Sequence, residues 1–173
     1  MKGLLLIFFF AFVIGTVSAQ DNQAPAKKST VFVELAGNGG LYSINYDHIV
    51  LGRPSWKLAG RIGAMYYREK LNYLENNYSQ KVAVPVELSY LRGKENHYLE
   101  LGLGITPWHE NYKDFHESQI NQVDLLPYTR LGYRYQKRDG GIFFKAGLTP
   151  MVKLKNNQNQ NFPWGGLAIG YTL

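Results

Sequence analysis

The sequence predicts an all-β fold: an eight-stranded antiparallel up-and-down transmembrane β-barrel, preceded by a cleavable signal peptide. Three observations carry the prediction. From Thr30 onward apolar residues recur with a period of two, the spacing of a strand with one apolar face, and not with the 3.6 of a helix. The opposite face of those strands is filled with Gly, Ala, Ser and Thr and an occasional charge. Short turns alternate with long polar connections, and both termini fall at the short-turn end, which is the plan of a barrel whose short turns face the periplasm.

The elements follow in order. Lys2, the run "LLLIFFFAFVIG" and the small residues "TVSA" form the charged region, apolar core and cleavage site of a signal peptide spanning 1–19. Its apolar core, Leu4 to Ile14, is shorter than the roughly 20 residues a spanning helix needs, so a retained anchor is the poorer reading. Residues 20–29, "QDNQAPAKKS", form a polar periplasmic leader, and 30–173 form the barrel. Mean hydropathy is −0.27, and no other stretch approaches 18 uninterrupted apolar residues. Helical spans are therefore excluded and any insertion must use strands.

In the first strand Val31, Val33 and Leu35 alternate with Phe32, Glu34 and Ala36. Beyond "GNGG" (37–40) the apolar parity flips to Tyr42, Ile44 and Tyr46, which marks a turn or bulge because one slipped residue exchanges the faces of a strand. A helix does not follow "GNGG" and the full GxGxxG is lacking, so a phosphate-binding loop is rejected. The third strand is "WKLAGRIGAMYY" and the fourth "KVAVPVELSYL", in which Pro85 removes a ladder donor and predicts a local irregularity. The fifth is "YLELGLGI", the sixth "LLPYTRLGYRY", the seventh "GIFFKAGLTPMV" and the last "FPWGGLAIGYTL". "GKEN" and "KRDGG" are Gly-bearing hairpin signals, whereas "REKLNYLENNYSQ", "HENYKDFHESQINQ" and "KLKNNQNQN" are long polar loops.

Alternation alone does not say which face is inside, because a soluble lipocalin-type barrel alternates too. The minor face decides. A water-facing surface would be thick with Lys, Glu and Asn, whereas small residues relieve crowding in the interior of an eight-stranded barrel. With that face inside, Glu34, Asp47, Glu87 and Glu100 share the lumen with Arg61, Arg130, Arg134 and Lys145. Four charges of each sign predict a mutually paired network that fills the barrel and leaves no open pore, since an unpaired buried charge costs several kcal/mol. On the outer face, a chain with 13 Tyr and 3 Trp has a use for aromatic girdles at the headgroup level. Tyr46, Tyr90, Tyr98, Tyr135 and Tyr171 are expected at the short-turn end, and Tyr66, Trp108 and Phe162 at the long-loop end.

The stretches "GNGGLYSINYD", "PVELSYLRGKENHYLELGLG", "LGYRYQKRDGGIFFKAGLTP" and "PWGGLAIGYTL" resemble a family of small, uncharacterised outer-membrane β-barrel proteins of Gram-negative bacteria. The resemblance covers nearly all of Val31 to Leu173, and more distantly the plan is similar to OmpA-type and OmpX-type barrels. It implies insertion by the barrel-assembly machinery, which recognises a final strand of alternating hydrophobic residues. Tyr171 and Leu173 match that signal, although Leu173 replaces the usual terminal aromatic residue and Ala168 stands where Gly is common. No established activity comes with the family.

Chemistry is sparse. Cysteine is absent, so disulfides and thiolate metal sites are excluded. His109 and His116, with Glu110, Asp114, Glu117 and Ser118, fall in a polar loop without the spacing of a metal motif. A lipid hydrolase using Ser118, His116 and Glu117 or Asp114 would need a rigid scaffold that adjacent loop residues do not supply. The formal charge of +6 drops by one when Lys2 leaves with the signal peptide. The basic residues form no run, so nucleic acid is not an expected partner. The expectation is a monomeric, non-enzymatic barrel without cofactor, with a structural or binding role. Its partners are outer-membrane lipids, the assembly machinery and an unidentified external ligand. A lipid-modifying enzyme, or a conduit for small hydrophobic molecules through a gap beside Pro85 or Pro127, are the alternatives.

Overall fold

The computed structural model describes residues 27–72, 77–113, 119–153 and 160–173. The expected signal peptide and residues 20–26 of the leader lie outside them. The described residues form nine antiparallel strands: β1 (Ser29–Ala36), β2 (Tyr42–Arg53), β3 (Trp56–Asn72), β4 (Asn77–Ala83), β5 (Val86–Lys94), β6 (His97–Lys113), β7 (Gln119–Gln136), β8 (Gly141–Lys153) and β9 (Gln160–Thr172). Each strand pairs with its sequence neighbours except β4 and β5, which both pair with β3 and β6, and β1 pairs with β9, so the sheet closes on itself. Closure removes the exposed edges that an open sheet would present. Among the described residues no helix is long and apolar enough to cross a membrane.

The expected count of eight strands differs from the nine observed, and the cause is Pro85. β4 and β5 both lie between β3 and β6, separated only by Val84 and Pro85. Proline cannot donate to the ladder, so the ribbon is interrupted there. The lost pairing is bridged by two backbone hydrogen bonds, from Gly63 N–H to the Pro85 carbonyl at 2.8 Å and from Val84 N–H to the Pro107 carbonyl at 3.1 Å.

Two of the expected polar loops are largely strand. β6 and β7 run in unbroken register from His97↔Tyr135 to Lys113↔Gln119, and β3 pairs with β4 as far as Asn72↔Asn77. Backbone hydrogen bonding continues where the apolar alternation fades. A strand of 17 residues such as β6 spans roughly 55 Å at about 3.3 Å per residue, whereas the apolar band of a transmembrane barrel is only ~25 Å tall. The polar halves of these hairpins therefore extend past any apolar band.

Side-chain direction follows the period of two. Val33, Ile44, Ile62, Leu88, Leu101, Leu103, Phe144, Leu148 and Ile169 all face outward, with Leu103 69% exposed. Arg61, Glu87, Glu100, Arg130 and Lys145 are buried. Monomeric water-soluble proteins rarely expose a contiguous apolar patch beyond a few hundred Å². Here apolar side chains cover the outside of nearly every strand.

Candidate functional site

The lumen is built in layers from the short-turn end to the far mouth. At the short-turn end Ile49, Ala59, Leu91 and Tyr98 form an internal apolar cluster. Tyr98 accepts a hydrogen bond from Lys57 Nζ at 2.7 Å and donates one to the Glu95 carbonyl at 2.5 Å. Above it, Phe32 and Phe143 pack with ring centroids 5.0 Å apart. The Arg61 guanidinium carbon lies 5.2 Å from the Phe32 centroid, and that of Arg134 5.0 Å from the Phe143 centroid. Cations held over ring faces in this way gain electrostatic stabilisation while buried.

The charged layer contains all eight residues expected there. Arg61 Nη2 meets Glu34 Oε2 at 2.5 Å and Nη1 meets Glu87 Oε2 at 3.3 Å, while Nε and Nη2 donate to Asn45 Oδ1 at 3.0 and 2.7 Å. Arg130 reaches the same two carboxylates from the opposite side: Nη2 lies 2.9 Å from Glu34 Oε1, and Nε 3.0 Å from Glu87 Oε2. Lys145 Nζ sits 2.7 Å from Glu100 Oε1 and 3.6 Å from Glu87 Oε1. Arg134 grips Asp47 through both terminal nitrogens and donates from Nε to Gln136 Oε1 at 3.0 Å. Gln136 passes the chain on to Thr30, and Thr30 to Thr172, across the β1–β9 seam.

Register alone does not dictate these partners. Asp47 lies directly across the ladder from Arg61, and Arg134 directly across from Lys145, a like-charge pair. Like charges in that position repel. Each instead finds its opposite elsewhere, Arg134 at Asp47 and Lys145 at Glu100. The network thus cross-links walls that are not neighbours in the sheet.

"GNGG" is the turn expected at this point, but it folds inward. Gly37–Gly39 form a single 3-10 turn whose residues are buried. Asn38 Nδ2 donates to Glu87 Oε2 at 3.2 Å, Arg130 Nη2 donates to Asn38 Oδ1 at 3.2 Å, and Thr106 Oγ1 donates to the Asn38 carbonyl at 3.0 Å. The turn therefore lies across the charged layer as a cap. Gly40, at φ +85°, lies directly against Trp108: a Cβ there would fall 2.9 Å from Trp108 Cη2. Beyond this cap a cavity of about 520 Å³ opens at the mouth, where Met65, Trp108, Leu126 and Met151 meet Glu69, Lys81, Glu110 and Asp124. Lys81 bridges Glu69 at 3.3 Å and Glu110 at 3.5 Å.

The girdle residues separate into two sets. Tyr46, Tyr66 and Tyr171 are exposed on the outside, and Tyr90 and Tyr135 are half-buried there, beside Trp56 and His97 respectively. Two expectations are corrected: Tyr98 is buried in the lumen and Trp108 points into the mouth cavity. Both share the parity of Glu100, Gly102 and Thr106, which β6 turns inward. The side chain of Phe162 lies outside the described residues. Tyr171 and Leu173 face outward at the end of β9.

Over 86% of its length and 99% of the other chain, this chain aligns with Ail, the attachment invasion locus protein of Yersinia pestis, in complex with the heparin analogue sucrose octasulfate, at TM-score 0.58 and 10% identity. A second structure of Ail aligns over the same shares at TM-score 0.56 and 12% identity. The fold is that of the outer-membrane-type β-barrels. The N-terminal β-barrel domain of Pseudomonas aeruginosa OprF aligns at TM-score 0.45 and 15% identity, again over 86% and 99%. No family model matches the sequence, and neither does any curated protein.

An outer-membrane-type barrel can carry chemistry on its strands or loops, so the candidate residues matter. His109 and Glu110 stand on β6, and His109 is exposed. Asp114, His116, Glu117 and Ser118 lie outside the described residues. Among the described residues no group of three or more His, Asp or Glu side chains is placed to hold a metal. Asn38, Asn45, Gln136 and Phe143 are lumen residues to which the sequence reading gives no role, and Phe32, placed on the face of Glu34, is given none either. Parity was the available signal for the two phenylalanines, since Phe32 is two residues from Glu34 and Phe143 two from Lys145.

Proposed function

We propose that this chain is a monomeric outer-membrane barrel of a Gram-negative bacterium, with eight strands when β4 and β5 are counted as one interrupted strand. It acts as a non-catalytic scaffold with a structural or binding role. Outer-membrane lipids surround it, the barrel-assembly machinery inserts it, and its mouth cavity and polar hairpins face the exterior. One observation carries the reading: a buried, charge-balanced network capped by an inward turn fills the lumen, while apolar side chains cover the outside. Groups this closely paired exclude the continuous water column that ion flow requires.

Two measurements test it. Purified protein in planar bilayers should give no conductance steps of porin size; steady steps of that size would overturn the plugged-lumen reading. The absence of native cysteine makes single-cysteine labelling clean. Cysteines at Leu103, Phe144 and Ile169 should react with a lipid-soluble reagent and resist a water-soluble one. The reverse pattern would overturn the membrane orientation.

One observation favours the conduit as a second reading. Pairing between β7 and β8 passes from Leu131↔Leu148 to Tyr128↔Met151 and skips Thr129, Arg130, Thr149 and Pro150. Over this seam, close to Pro127, lies an apolar groove of about 710 Å³ lined by Leu101, Leu103, Leu131, Leu148, Pro150 and Trp164. A disulfide between Thr129→Cys and Pro150→Cys would block uptake of a hydrophobic dye on this reading; unchanged uptake would remove it.

A further inference from the structure

The short-turn end carries a second cavity, of about 470 Å³, whose lining has a charge pattern unlike the rest of the molecule. Lys27, Lys28, Arg53, Lys57 and Arg138 converge on it, against one carboxylate, Glu95. They arrive from four places: the segment before β1, β2, β3 and the β7–β8 turn. Lys27 N–H donates to the Arg138 carbonyl at 2.9 Å, tying the segment before β1 to the β7–β8 turn. Ile49 N–H donates to the Lys28 carbonyl at 2.9 Å, tying the same segment to β2. Arg53 stands where β2 enters the β2–β3 turn. The Lys27 side chain lies along the β7–β8 turn, where a Cβ on Gly140 would fall 2.5 Å from Lys27 Cδ.

Inside the lumen each buried cation faces a carboxylate within 4 Å. Here, among the described residues, none of the five forms a salt bridge. Lys57 is held by the Tyr98 hydroxyl, a neutral partner. Cations gathered in one concavity repel one another unless a counter-anion joins them. The same cavity is lined by Ile49, Val50, Leu51 and Pro54, and Val50 and Leu51 are exposed on the strand beside the cations. A ligand that satisfies both parts has an anionic head and an apolar tail.

We infer that the short-turn end of the barrel is a binding site for one anionic phospholipid, whose phosphate is held by Arg53, Arg138, Lys27 and Lys28 and whose acyl chain lies along Val50 and Leu51. Arginine suits this task because its planar fork binds phosphate oxygens in pairs. The inference rests on the membrane reading for which leaflet supplies the lipid. Lipid retention in micelles is independent of that reading, which the cysteine labelling decides separately.

The test is native mass spectrometry of the full-length mature protein, released from maltoside micelles after titration with phosphatidylglycerol, phosphatidylcholine or inorganic phosphate. One phosphatidylglycerol should be retained at least tenfold more tightly than phosphatidylcholine. The Arg53→Gln/Arg138→Gln variant should abolish that preference. Lys27→Gln/Lys28→Gln should weaken it at unchanged β-sheet circular dichroism; these two residues precede the first strand, so this variant keeps the test independent of folding. Equal retention of the two lipids would overturn the inference, as would undiminished preference in both variants. Displacement of the lipid by inorganic phosphate at equal concentration would assign the cavity to a free anion and overturn the lipid assignment.

Discussion

Replacing Arg61 by Met tests whether charge balance holds the barrel together. Arg61 is 3% exposed and touches Glu34, Glu87 and Asn45. Methionine is unbranched and flexible, so the change removes chiefly the charge, its donors and the cation over Phe32. Glu34 and Glu87 would each keep Arg130, at 2.9 and 3.0 Å, but the lumen would hold four carboxylates against three cations. Removing one partner of a buried ion pair costs about 3–5 kcal/mol, because the remaining charge stays desolvated. We expect Arg61→Met to lower the unfolding free energy by that amount, measured by urea titration of protein folded in lipid vesicles with tryptophan fluorescence as the signal. Adding Glu34→Gln restores the balance of signs, and the double variant should recover at least ~1 kcal/mol of the loss. A single-variant effect below about 1 kcal/mol, or a double variant less stable than the single, would refute the reasoning.

Other expectations follow from the same structure. Leu103→Arg places a cation on the outer face; in vesicles it should cost about 2–4 kcal/mol, and an effect near zero would remove Leu103 from the middle of the apolar band. A Cβ on Gly104 would collide with the Tyr128 ring and the Val86 carbonyl oxygen, so Gly104→Ala should destabilise by about 1–3 kcal/mol, read from the same urea midpoint.

Much of the barrel was legible because a period of two is a strong signal and the residues on each face differ sharply in kind. The eight lumen charges could be named for that reason: each sits two residues from a glycine, an alanine or another lumen side chain, as Glu100 does from Gly102. Tyr98 and Trp108 lie inside because parity along β6 overrides residue type. Tyrosine and tryptophan suit a headgroup region, yet both continue the inward series of β6, and the crowded lumen has room for them only beyond the ends of the charged layer. Pairing partners were not legible. Sequence gives each charge a face but no height, and height decides that Asp47 meets Arg134 and not Arg61, its neighbour across the ladder. Nor could composition tell a turn that leaves the barrel from one that dips into it; the inward fold of Gly37–Gly39 depends on Asn38 finding Glu87, Arg130 and Thr106.

The way the ionised side chains are distributed has a consequence for assembly. They come from β1, β2, β3, β5, β6, β7 and β8, and the bond between Arg134 and Asp47 joins residues 87 apart in the chain. A half-wound sheet would present several bare charges to whatever fills its trough, and hydrocarbon there would be prohibitive. Those groups must therefore stay wetted until the first strand reaches the last, so rolling up, drying out and neutralising become a single cooperative step. On the proposed membrane reading, a partly inserted intermediate would carry water with it into the bilayer.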